Sequence, residues 1–314
     1  MPLHRPEKPM SAAQIPLPAP LLRWLDATAR DLMQPSPEQG FDFACPPGEP
    51  ALAAADSLSW RIFKNPATLF IGGVAAVILE PAEPGVRSGV WNHSSFRTEP
   101  VRRLQRTGLA AMITVYGARS RAEAMIAGIT RLHDQVQGRL PDGRGYRASD
   151  PALLRWVQAT ASFGFAEAYH RYANPLGPEE LDRLYIEALP AAHLYGAADA
   201  PRSDAERRAL FAAMDGRLEA SPVIQEFLRL MHQAPVLPGF LRKAQHLLVR
   251  AAVDITPDWL RARLGLGAGM GLRPWQAPLV RRICTLADRV LLPSSPPVQA
   301  CLRLGLPPDY LFRR

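Results

Sequence analysis

The stretch ATLFIGGVAAVIL, residues 67–79, decides the fold: thirteen positions carry no charge and a single hydroxyl, that of Thr68. A helix that crosses a bilayer needs roughly 20 apolar residues, so this run is too short to span one. Asn65 and Pro66 stand before it and Pro-Ala-Glu-Pro-Gly follows at 81–85, which supplies a start and a stop for a helix. An apolar run of this length between such punctuation reads as a central core helix.

Outward from it, proline and glycine separate segments whose apolar residues recur at helical rather than alternating spacing. A first helix is predicted from Pro20 to Met33, followed by an irregular loop, QPSPEQGFDFACPPGEP, over 34–50. Thr98 is expected to cap a helix with Glu99 and Pro100 in its first turn and Gly117 at its end. Ser120 and Glu123 have the spacing of a capping box for the next helix, closed by Gly138. Asp150-Pro151 repeats the cap-then-proline signal and opens a long, buried helix that runs to Asn174-Pro175. Further helices fit 178–195, interrupted at Pro190, and then 204–219, 222–233, 239–253, 257–264 and 275–291. No strand and no fixed-period repeat is visible. The expected fold class is therefore all-α, one helical domain over 18–291 between a Pro-rich flexible arm, 1–17, and a tail, 292–314.

The chain has 314 residues and is 47% hydrophobic, enough for a large core. Lys and Arg outnumber Asp and Glu by 37 to 29, a net charge of +8, but the arginines are spread over nearly every segment. With no basic motif interleaved with aromatics, no nucleic-acid partner is expected. Cys45, Cys284 and Cys301 are odd in number and far apart, which gives neither a disulfide framework nor a zinc spacing and points to a reducing, cytoplasmic compartment. The N-terminal arm lacks the apolar core of a secretory signal. No transmembrane segment is expected, and peripheral contact with a membrane stays open.

Three places carry candidate chemistry. His133 shares a stripe with Ala122, Met125, Ile126, Ile129 and Val136, so it is either a core histidine satisfied by a neighbour or an axial iron ligand facing an apolar porphyrin. In RRLQRT, 102–107, Arg103, Arg106 and Thr107 share a face that continues through Ala110 and Thr114. That face is either solvated or the wall of a polar pocket able to hold a carboxylate or an oxyanion. His93, in GVWNHSSF, reads as a loop residue. The sequence has no nucleophile elbow, Walker loop or HxxxH metal spacing, and GLGAGMG at 265–271 follows no strand and reads as a loop.

The order LFIGGVAAVILEPAEPGVRSGVWNHSSFRTEPVRRLQRT, VYG, RLHDQVQG and YRASDPALLRWVQA resembles the family of haem-dependent oxygenases that includes latex clearing protein and the mycophenolate-pathway farnesyl-cleaving oxygenase. The resemblance covers residues 57–240. It implies a globin-like helical core around a haem pocket, with haem b as cofactor and dioxygen and an apolar, isoprenoid or unsaturated compound as partners. It makes His133 the proximal ligand, with dioxygen bound opposite. Arg103 and Thr107 match an Arg-x-x-Lys-Thr motif, and arginine stands at 106 in place of its lysine. A guanidinium stays protonated and has no free lone pair, so the implied distal side is open or water-bound, with Arg103 or Arg106 free to bond oxygen or a haem propionate. Glu83 stands where many relatives have histidine, and His93 matches a family position, a candidate for the distal pocket. A haem-binding sensor or carrier without turnover, and a scaffold that has lost its cofactor, remain as alternatives.

Overall fold

Asn65 starts the central helix, as its position before a proline predicts. Its Oδ1 accepts from the backbone N–H groups of Ala67 and Thr68 at 3.1 and 3.2 Å, satisfying two donors that have no partner inside a helix. Its Nδ2 donates to the Cys284 carbonyl at 3.0 Å, so the same buried side chain ties the helix start to a distant segment. The computed structural model describes residues 14–33, 40–234, 237 and 239–313; most of the expected arm lies outside them.

Among the described residues the chain is mostly helical. In chain order the helices are α1 (Ala19–Met33), α2 (Leu58–Phe63), α3 (Pro66–Leu79), α4 (Pro84–His93), α5 (Pro100–Tyr116) and α6 (Arg119–Gln135). A small antiparallel hairpin, β1 (Gln137–Arg139) and β2 (Gly145–Arg147), pairs Gly138 with Tyr146. Then come α7 (Pro151–Tyr172), α8 (Pro178–Leu194), α9 (Asp204–Met214), α10 (Pro222–Gln233), α11 (Arg242–Ile255), α12 (Asp258–Arg263), α13 (Ala277–Ala287) and α14 (Pro296–Arg303).

α3 lies in the middle, packed on α7, α11 and α13. It crosses α7 where a glycine of each helix meets the other: a Cβ on Gly72 would stand 2.8 Å from the Gly164 carbonyl oxygen. Ile71, Val74, Ile78, Trp156, Phe163, Val249 and Val280 fill the main core around this crossing. A second apolar cluster, around Trp60 and Tyr116, lies between α2 and α5.

Several expectations are corrected. The chain does contain strands, in the hairpin above, because Pro141-Asp142-Gly143 makes a turn with Gly143 at φ +88°. α4 is a helix where His93 is expected in a loop, so His93 closes a helix, and α2 is a helix in a stretch for which no element is expected. Thr98 does not cap α5: its hydroxyl donates to the Ser95 carbonyl and Glu99 takes the cap position. Ser120 lies inside α6, where its N–H and hydroxyl both donate to Glu49, so the capping box does not form. Pro190 is accommodated within α8. The expected tail folds back: Val298, Cys301, Leu311 and Phe312 are buried in the Trp60 cluster, since their apolar surface gains more from that gap than from water.

Candidate functional site

α3 is buried almost throughout, yet Leu69, Phe70, Gly73, Val77 and, just past its end, Glu80 keep accessible surface. Steps of three and four put all five on one face. α5 shows the same pattern: Leu109, Met112, Ile113 and Tyr116 are buried, while Arg103, Thr107, Ala110, Ala111 and Thr114 are not. α5 is not among the helices packed closely on α3; the part-exposed positions named on α3 are apolar apart from Glu80, and those on α5 are small or polar.

Arg103 links these faces electrostatically. Burial pushes the Glu80 carboxyl up to about 7, against the pull of the Arg103 guanidinium. The same guanidinium acts on His133, whose ring is pushed below the ordinary histidine range by burial first and Arg103 second, with Asp134 opposing. The Arg103 side chain is fixed within its own helix turn, donating to the Thr107 hydroxyl, which in turn donates to the Arg103 carbonyl at 2.8 Å. Glu80, Arg103, Thr107 and His133 therefore form one neighbourhood.

His133 sits in the last turn of α6, half-buried, beyond the buried Ala122 and Ile126 of its stripe. Its Nδ1 is sealed from solvent and has no hydrogen-bond partner. The neighbour that would satisfy a core histidine is absent among the described residues. A buried nitrogen left unpaired costs about 1–3 kcal/mol, and a neutral imidazole with an unused nitrogen is a ready ligand.

The other candidates are placed elsewhere. The Arg106 guanidinium donates to the Ser95 hydroxyl at 2.8 Å on the exposed side of α5, while its charge still acts on Arg103. His93 Nε2 is 3.0 Å from the Tyr146 hydroxyl, joining the end of α4 to the hairpin that follows His133. Glu83 is structural: it accepts from the Val86 N–H at 2.9 Å at the start of α4 and from Arg217 at 3.1 Å. Sequence reasoning missed Glu80, although an acid that ends a long uncharged run, on the same face as Gly73 and Val77, was a readable signal.

A model of the family described as ER-bound oxygenase mpaB/B′/rubber oxygenase, catalytic domain, matches residues 60–289. No curated protein and no solved structure matches the chain significantly. The matched span holds Glu80, Arg103, Thr107 and His133, and the chain belongs to the mpaB and rubber oxygenase family, as an oxidoreductase with an oxygenase catalytic domain.

Proposed function

We propose that the chain is a haem b-dependent oxygenase acting on an apolar, isoprenoid or unsaturated compound, with His133 as the protein's ligand to the iron. The observation that carries this reading is the buried, unpartnered Nδ1 of His133, on a ring whose pKa burial and then Arg103 push down. Leu69, Phe70, Gly73 and Val77 offer the apolar wall that a macrocycle needs, within an expected globin-like core. Among the described residues no group of three His, Cys, Asp or Glu could hold an ion. A single histidine suits a group that brings four ring nitrogens of its own. Bound haem would supply dioxygen activation, the chemistry that no side chain here can supply.

The residues would divide the remaining work. Arg103, held by Thr107, is positioned for a propionate carboxylate or a developing oxyanion. Glu80, with its carboxyl near 7, can hold or release a proton close to neutral pH. Arg106 is engaged by Ser95 and has no lone pair with which to close the far side of the site. His93, tied to Tyr146, supports the hairpin beside His133.

Oxygen uptake by the haem-loaded chain tests the activity. An isoprenoid alkene should be consumed with dioxygen and yield carbonyl products, and its saturated analogue should not. Bound haem with no uptake on any alkene would favour a carrier or sensor instead.

A further inference from the structure

The outward face of α13 is apolar and basic with no acid. Trp275, in the turn before the helix, is 64% exposed, and Leu279 and Leu286 are 41% and 45% exposed. Leu279, Arg282 and Leu286 follow at steps of three and four, which places them on one stripe of α13, and exposed Trp275 stands in the turn that leads into it. The opposite side of α13 is anchored by Val280 and Cys284, both fully buried in the main core, so the stripe is mounted rigidly. Arg273, Arg281 and Arg282 are exposed around it. Between 268 and 287 there is no Asp or Glu, and Asp288 is buried against Lys64 at 3.0 Å. Arg281 donates to the Arg171 carbonyl, while Arg273 and Arg282 have no ion-pair partner among the described residues.

We infer that this face docks on an anionic lipid bilayer, with Trp275, Leu279 and Leu286 entering the headgroup boundary and the arginines meeting lipid phosphates. Tryptophan and leucine on one face with arginine beside them is the composition of an interfacial helix. A second copy of the chain fits less well, because a two-fold contact would bring the arginines of both copies together with no acid to pair them. A nucleic acid would leave Leu279 and Leu286 against phosphates. The inference stands apart from the haem reading, since no α13 residue belongs to the His133 neighbourhood.

Sedimentation of the full chain with vesicles tests it. Phosphatidylcholine vesicles containing about one-third phosphatidylglycerol should bind about tenfold more strongly than phosphatidylcholine alone, and salt should weaken the preference. The double variant Trp275→Ser/Leu279→Ser should lower binding about tenfold or more, with an unchanged melting curve because both side chains are exposed. Arg273→Gln/Arg282→Gln should remove the preference for anionic vesicles. The inference is overturned if the wild-type chain binds neither vesicle, or if both double variants bind as it does. It is equally overturned if light scattering shows a dimer that Trp275→Ser/Leu279→Ser dissociates, because the face would then belong to a second copy.

Discussion

At the scale of single residues, Glu80 gives the site a measurable pH signature. The folded chain keeps the Glu80 proton up to about pH 7, whereas the ordinary carboxyl ionises near 4.5. Between those values folding takes up a proton, so the Glu80 contribution to stability falls as pH rises from 4.5 towards 7 and stays at its lower level above. After allowing for partial exposure, this amounts to about 2 kcal/mol. Urea unfolding of the haem-free chain should therefore show Glu80→Gln gaining about 2 kcal/mol over wild type on going from about pH 5 to about pH 8. A constant difference across that range would mean that the carboxyl is solvated. At this scale the sequence was only partly legible. The helical spacing of Arg103 and Thr107 put them on one face, and they do meet, but Arg106 shares that arc loosely and its long side chain swings to Ser95. Whether His133 had a partner depended on the hairpin and on α5, neither of which its own helix pattern describes.

At the scale of elements, the starts of α3 and α7 were legible because Asn65 and Asp150 each precede a proline and cap their helix with their own side chain. α2 and α14 are short, six and eight residues, too few to show a period, and α4 was hidden by its polar and glycine content. β1 and β2 have three residues each, below the length at which alternation can be recognised. The starts of α5 and α6 went astray for another reason, while α5 does stop at Gly117: the N-terminal caps were judged from local sequence, and Ser120 is claimed by Glu49, 71 residues away. Glycines allow a direct comparison between helices. Gly72→Ala would force a Cβ to 2.8 Å from the Gly164 carbonyl oxygen and should cost about 2 kcal/mol or more in urea unfolding. Gly108→Ala, on α5, meets nothing within 4 Å and should stabilise by up to about 1 kcal/mol. Equal effects at the two positions would argue against the close crossing of α3 and α7.

At the scale of the whole molecule, the mostly helical class and the buried α3 followed from the periodicity and from the uncharged run at 67–79. The packing of residues 296–312 into the Trp60 cluster did not, because the α2 and α5 residues that Val298 and Phe312 join lie far earlier in the chain. Family membership gives the oxygenase chemistry, and the proposal places it at His133, beside Arg103 and Glu80. The central claim is that His133 holds haem, and the absorption spectrum of the purified chain with haem supplied tests it most directly. The account predicts a Soret band with haem bound one to one, and its loss in His133→Ala while the far-ultraviolet circular dichroism stays helical. A His133→Ala chain that keeps full haem occupancy with the same Soret band would contradict it.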